Sequence, residues 1–147
     1  MLKGPLLHPE ILNALGQAGH SSRVLISDGN FPHSTRRGPN SALVFLNLTP
    51  GLLTVTQVLD ALVNIIPIED AAVMLPNRTG PYAMKKDPPI FDEFRRIFLA
   101  AGIDVKLRGL ERFKFYDQAA SPDVCLTIAT GEHRIYANLL LTIGVVK

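Results

Sequence analysis

The sequence predicts an α/β fold, in which helices and short strands alternate along the chain and pack in layers. Amphipathic helical patterns alternate with short apolar runs from one end of the chain to the other. These runs are apolar throughout, which is typical of strands that are covered on both faces. Neither repeats nor a linker interrupt the 147 residues, so we expect one domain over residues 1–147.

The first part of the chain predicts one helix and two strands. Pro9 and Glu10 suit the first turn of a helix, and Gly19 is expected to end it. Residues 23–26 are predicted as a strand. After a loop rich in Gly, Pro, Ser and Asn, residues 42–48 form the next predicted strand.

The middle of the chain predicts two helices on either side of a strand. Thr54 and Gln57 have the spacing of a capping box, and apolar residues recur on one face of the helix that follows. Residues 71–75 are a short, continuously apolar strand. A polar, proline-rich loop then leads to a predicted helix over residues 90–101, with Gly102 as its stop.

The last part of the chain predicts three strands and one short helix. Residues 103–107 are predicted as a strand and residues 110–119 as a helix. Residues 124–129 form the next predicted strand, and a turn follows at residues 130–132. The final apolar stretch fits helix or strand, and we predict a strand over residues 139–143.

The composition narrows the function classes. Fifteen Lys and Arg against thirteen Asp and Glu leave a net charge of +2, too little to drive nucleic-acid binding by charge alone. Charged residues make up 19% of the chain, below the roughly 25% of typical soluble domains. No apolar stretch is long enough for a membrane span or a signal peptide. We therefore expect a cytoplasmic protein that buries part of its surface by self-association.

Several kinds of chemical site have no sequence signature in this chain. No phosphate-binding loop and no nucleophile elbow are present. The four histidines lack the spacing of a metal site, and Cys125 lies inside an apolar predicted strand. We expect no metal and no cofactor.

The remaining candidates are polar residues beside predicted turns, where α/β proteins place their ligands. Taken singly, His20 reads as a helix cap, Asp28 as a turn former and Arg112 as a solvated helix residue. Tyr136 and Asn138 precede the last strand. Together they supply the hydrogen-bonding groups of a sugar site. His20 and Asp28 flank one strand, so they converge only if the chain doubles back.

Five motifs also occur in an order and spacing that resemble a known family. They cover residues 19–20, 28–32, 112–116, 130–132 and 136–138. The match extends over the whole chain, which is similar to the fucose mutarotase / ribose pyranase family. That resemblance implies a three-layer α/β/α subunit with a mixed, mostly parallel sheet. It also implies a ring-shaped homo-oligomer, often a decamer, with sites near subunit contacts and no metal or organic cofactor.

The resemblance assigns roles to individual residues. Members interconvert cyclic forms of free sugars. By motif, His20 is similar to the general acid, Asp28 to a substrate-binding carboxylate and Arg112 to a basic residue that contacts sugar hydroxyls. The sugar-binding tripeptide of the family corresponds to Tyr136, Ala137 and Asn138. Tyr116 and His33 are weaker candidates, for proton relay or packing and for substrate contact.

The sequence also bears on the identity of the sugar. Leu110 stands where ribose pyranases have a histidine, which favours L-fucose over D-ribose. The loop over residues 77–89 departs from the mutarotase pattern, as do Arg36 and Arg37. D-ribose pyranase activity and a non-catalytic sugar-binding accessory to uptake therefore stay as alternatives.

Overall fold

The computed structural model describes residues 1–146, so Lys147, the last residue of the predicted domain, lies outside the described part. Four helices and six strands alternate along the chain, as the sequence predicts. In chain order they are α1 (Pro9–Gln17), β1 (Arg23–Ser27), β2 (Ala42–Phe45), α2 (Val55–Leu62), β3 (Ile68–Met74), α3 (Ile90–Ala100), β4 (Leu107–Leu110), α4 (Arg112–Ala119), β5 (Val124–Ala129) and β6 (Leu139–Ile143).

The six strands form one sheet in the order β2-β5-β1-β6-β3-β4. The pairs β1–β5, β2–β5 and β3–β4 are parallel, whereas β6 is antiparallel to both β1 and β3. The mixed, mostly parallel sheet is thereby confirmed. Five strands end at one edge of the sheet, and β6 begins there.

Helices cover both faces of the sheet, which gives the three layers. Along β1, Val24 and Ile26 belong to the larger core, together with residues of α1, α2 and α3 such as Phe94. Leu25, between them, points to the other face and packs with Phe115 of α4. Side chains alternate between faces along a strand, so the uninterrupted apolar runs feed both cores.

Helix α1 begins and ends as the sequence predicts. His8 is its N-cap and accepts a hydrogen bond from the backbone N–H of Ile11 at 3.5 Å. The helix ends at Gln17, because Ala18 already has extended backbone, with φ −77° and ψ 154°. Gly19 follows this C-cap directly, so the helix stops where the sequence predicts.

The caps of α2 and α3 agree with the sequence. Thr54 and Gln57 form the reciprocal capping box, with each side chain bonded to the other's backbone. Gly102 follows α3 at φ +71°, a left-handed conformation that glycine adopts at little cost. None of the helices among residues 1–146 is long and apolar enough to cross a membrane.

In β2 and in β3, one boundary differs from the prediction by three residues. Strand β2 ends at Phe45 rather than Leu48, because the chain turns back on itself at residues 49–52. Strand β3 begins at Ile68, three residues early, since its pairing with β6 extends to Ile68 and to the polar Asp70, with an irregularity at Glu69 between them.

The predicted strand over residues 103–107 is also wrong. The observed strand β4 covers Leu107–Leu110, because its pairing with Ala71–Met74 of β3 sets where it starts. Leu110 therefore closes a strand instead of opening a helix. Helix α4 begins at Arg112, capped by the carboxylate of Glu111, which accepts two backbone N–H groups.

The fully buried Phe94 should dominate the stability of the larger core. Phe94→Ala leaves a cavity between α3 and the sheet, and we expect it to lower the free energy of unfolding by about 3–5 kcal/mol. Urea unfolding at a fixed protein concentration measures this loss. Arg96→Ala, an exposed position on the same helix, should change it by no more than about 0.5 kcal/mol. Equal losses in both variants would contradict the assignment of this core.

Candidate active site

The site lies at the edge where the parallel strands end. Asp28 follows β1 directly, and Thr130 follows the neighbouring β5. Strand β6 runs the other way and lies beside β1, so Asn138, the residue before it, reaches the same edge. Sheet order thus brings together residues that are more than a hundred positions apart in sequence.

Asp28 and Asn138 are joined by two hydrogen bonds. The Asn138 amide Nδ2 donates to Asp28 Oδ2 at 2.8 Å, and the Asp28 backbone N–H donates to Asn138 Oδ1 at 3.0 Å. The backbone N–H of Asn30 donates to the other carboxylate oxygen at 3.0 Å. Both Asp28 and Asn138 are almost completely buried. The pair therefore fixes the orientation of both side chains.

Burial makes Asp28 an unusual acid. Removal from water raises the pKa of its carboxyl to about 6, against hydrogen bonds from Asn30, Asn138 and Ala137 that lower it. The negative charge of Glu132 adds to the rise. A carboxyl with this pKa can both hold and release a proton close to neutral pH, as an acid–base catalyst must.

Tyr136 stands beside this pair in a strained conformation. Its φ of +62° is rare for a bulky residue and costs on the order of 1–3 kcal/mol, so surrounding contacts must hold it. Arg112 Nη2 donates to the Tyr136 hydroxyl at 2.9 Å, and the guanidinium carbon lies 5.7 Å from the ring centroid. The same hydroxyl donates to the carbonyl of Tyr82, at 3.4 Å, which draws the loop over residues 77–89 to the site.

Aromatic rings form another wall. Phe31 and Tyr116 meet edge to face with their centroids 5.7 Å apart, and both face the same cavity. The guanidinium carbon of Arg36 lies 5.6 Å from the centroid of the Tyr116 ring. This residue of the first loop, which departs from the mutarotase pattern, therefore supports a wall of the site. Arg37 is exposed.

These groups enclose a cavity of about 350 Å³. That volume lies in the range of small-molecule sites. Its lining consists of Asp28, Asn30, Phe31, Met74, Tyr82, Arg112, Tyr116, Ile135, Tyr136 and Asn138.

A second cavity of about 400 Å³ shares Asn30 with the first. It is lined mainly by the loop after β2 and by residues 130–133, with no tyrosine or phenylalanine. The first cavity combines a carboxylate, a guanidinium and aromatic faces, so it is the better candidate for chemistry.

His33 does not line the first cavity. Its Nε2 lies 2.7 Å from the hydroxyl of Ser27, and its ring packs 5.4 Å from Phe31 and 6.1 Å from Phe45. Burial lowers the pKa of its imidazole, which favours the neutral form. His33 therefore supports the cavity wall from behind, through Phe31.

His20 is not brought to the cavity within one chain. It precedes β1, whereas Asp28 follows β1, and a strand of five residues spans roughly 16 Å. At its own edge of the sheet, His20 Nε2 lies 3.1 Å from Glu69 Oε2 at the start of β3. Both side chains are about half exposed. The chain does not double back in the way that convergence with Asp28 would require.

Some residues at these two edges were not predicted. Tyr82 and Met74 reach the cavity only because β3 and its loop end at the same edge as β1. Glu69 lies in the polar beginning of β3, which the apolar pattern left outside the predicted strand. No local sequence pattern identifies these residues as neighbours of the cavity or of His20. Among residues 1–146, no three His, Cys, Asp or Glu side chains cluster as metal ligands would.

Comparisons with known proteins agree with this architecture. Residues 1–146 match the model of the RbsD / FucU transport protein family. The chain is 32% identical to the human fucose mutarotase, over 98% of this chain and 94% of the relative. It is 31% identical to the fucose mutarotase of Danio rerio, over 99% and 95%. The crystal structure of FucU from Bifidobacterium longum superposes with a TM-score of 0.75 at 31% identity, covering 95% of each chain.

The buried Asp28 predicts a pH dependence of stability. Its pKa lies near 6 in the folded chain, against 3.8 for an ordinary aspartate. Between these values the folded state holds a proton that the unfolded state has released, so stability falls as the pH rises. This contribution should lower the free energy of unfolding by roughly 2 kcal/mol between about pH 4 and pH 6.

The comparison that isolates this effect is with Asp28→Asn, which cannot titrate. Urea unfolding of both proteins across that pH range, at equal concentration, should show the extra decline in the wild type alone. Carbon-13 NMR of the Asp28 carboxyl gives its midpoint directly. A midpoint near 4 would contradict the assignment.

Proposed function

Because the chain belongs to the RbsD / FucU transport protein family, we propose that it is a sugar mutarotase that interconverts the anomers of a free monosaccharide, L-fucose in the first place. It needs neither a metal nor an organic cofactor for this reaction. The observation that carries the proposal is the first cavity, in which a buried carboxyl of pKa near 6 stands among sugar-binding groups. The fucose mutarotases of human and Danio rerio support the choice of sugar.

The reaction requires two proton transfers. An acid donates a proton to the ring oxygen while a base accepts the proton of the anomeric hydroxyl, and the C1–O bond of the ring breaks. The resulting aldehyde rotates about its C1–C2 bond. Closure reverses both transfers and returns each proton, so the two anomers interconvert without net change. Positioned acid–base groups accelerate such steps by roughly 10²–10⁴-fold.

The cavity residues have distinct roles in this proposal. Asp28 binds a sugar hydroxyl and exchanges a proton close to neutral pH. Asn138 and the backbone of Ala137 hold both Asp28 and the sugar in register. The guanidinium of Arg112 donates to hydroxyls, and the ring of Tyr136 packs against the apolar face of the sugar. Tyr116 adds a second ring and a phenol close to the substrate.

His20 acts as the acid of a neighbouring subunit's site. The span of β1 keeps it away from its own chain's cavity, and about half of its side chain is exposed. Glu69, whose Oε2 lies 3.1 Å from the His20 Nε2, orients the imidazole. A homo-oligomeric ring, of which a decamer is one form, would supply the contact. Large apolar side chains that lie 80% or more exposed, such as Leu48 and Leu99, support self-association. We place this assembly in the cytoplasm.

One alternative has an observation in its favour. Within a single chain the cavity holds sugar-binding groups but lacks His20, which suits a non-catalytic sugar-binding protein. Such a protein binds sugar without accelerating anomer exchange. D-ribose pyranase activity stays a second alternative for the same cavity.

Saturation-transfer NMR distinguishes these functions. The wild type should accelerate anomer exchange of L-fucose more than that of D-ribose, D-galactose or L-rhamnose. Asp28→Asn should remove about 10²–10⁴-fold of that acceleration, since the acid–base group is lost. The exposed Asp123→Asn serves as the control and should leave it unchanged. Binding without exchange would select the accessory, and no effect on any sugar would exclude the mutarotase.

A mixing experiment tests whether neighbouring chains share a site. His20→Ala and Asp28→Asn should each be inactive alone. Mixing them after dissociation and reassembly should restore part of the activity, because some contacts then combine an intact His20 with an intact Asp28. His133→Ala, an exposed histidine outside the first cavity, controls for loss of an imidazole. A mixture as inactive as its parents would show that His20 does not complete a neighbour's site.

A further inference from the structure

The loop that carries cavity residues contains an ion pair with a buried carboxylate. The side chain of Glu132 is completely inaccessible to solvent. Arg134 binds the carboxylate of Glu132 in a bidentate manner: Nε donates to Oε1 at 2.9 Å, and Nη2 donates to Oε2 at 2.8 Å. The backbone N–H of Arg134 donates to the same Oε1 at 3.1 Å. This two-pronged geometry is the most specific contact that arginine makes with a carboxylate.

The same arginine ties the loop to the helices behind the sheet. Its remaining terminal nitrogen, Nη1, donates to Glu93 Oε1 on α3 at 2.8 Å. The buried carboxylate also receives the backbone N–H of Val55, the first residue of α2. The Glu132–Arg134 pair therefore joins one short segment to two helices that pack against each other: Arg134 contacts α3, and Glu132 contacts α2.

The segment that it fixes has little regular structure of its own. Between β5 and β6, residues 130–138 form turns and irregular backbone. Two residues beyond Arg134, Tyr136 adopts its positive φ, a conformation that persists only where the surroundings impose it. Asn138, two residues further on, must meet Asp28 to within hydrogen-bond distance.

We propose that Arg134 is a positioning residue for the sugar cavity: its ion pairs with Glu132 and Glu93 hold residues 134–138 in the backbone conformation that presents Tyr136 and Asn138 to the substrate. Arg134 itself does not line the cavity. Its effect on catalysis rests on the function proposed above, whereas its effect on the geometry of the free protein does not.

The test separates positioning from plain stability. Arg134→Lys keeps the charge but loses the two-pronged grip, so it should fold where Arg134→Gln, which strands a buried carboxylate, fails. In Arg134→Lys we expect a higher KM for L-fucose and a lower kcat. Together these should reduce kcat/KM by about 10- to 100-fold, as misplaced cavity groups do. Glu93→Gln, which leaves Glu132 paired, should give a smaller loss of the same kind.

Two further measurements complete the experiment. Side-chain amide signals of Asn138 in the free protein should shift or broaden in Arg134→Lys, because its hydrogen bond to Asp28 loosens. Arg95→Gln, which removes an exposed ion pair with Asp92 on α3, is the matched control and should alter neither kinetics nor these signals.

The outcomes are distinct. A folded Arg134→Lys with unchanged Asn138 signals and unchanged KM and kcat, even if its melting temperature falls, would overturn the positioning role. If the wild type accelerates no sugar, the proposed function fails, and the amide signals still decide whether Arg134 sets the loop. Shifted signals together with reduced kcat/KM would support both.

Discussion

The paired hydrogen bonds between Asp28 and Asn138 are the interaction on which the site depends. They close the end of the β1–β6 pairing, where the one antiparallel strand of the sheet begins. Because β6 runs against its neighbours, its first residues meet the last residues of β1 at a single edge. Without that reversal, the segment containing Tyr136 would lie at the other side of the sheet. Burial at this end of the sheet raises the pKa of the Asp28 carboxyl to about 6, although the hydrogen bond from Asn138 lowers it.

The sequence predicts most elements of the fold because apolar runs and caps are local signals. β5 and β6 have the predicted bounds, and the capping box of α2 is present as expected. The predicted bounds are wrong where pairing with another strand determines them. The bounds of β4 follow from its register with β3, and the polar start of β3 forms a strand only because β6 lies alongside. The residues of β4 do not predict its pairing with β3, and those of β3 do not predict its pairing with β6.

The sequence likewise predicts some residues of the candidate site and not others. Asp28, Arg112, Tyr136 and Asn138 were predicted as a group, and the structure brings them to one cavity. Motif order identified them, although each residue alone has an ordinary structural explanation. The contribution of Tyr82 required the strand order, which no local pattern contains. The same holds for the position of His20. His20 precedes β1 and Asp28 follows it, so the length of β1 keeps the two side chains apart.

The length of the short strand β6 also sets the distance between the two edges of the sheet. The strand starts directly after Asn138, beside the cavity, and ends at Ile143, whose carbonyl accepts the backbone N–H of Ser21, next to His20. Five residues therefore set the offset between the sugar-binding edge and the imidazole edge of each chain. In a closed ring that offset repeats at every contact. An insertion or deletion within β6 would change this offset as well as the packing of the sheet.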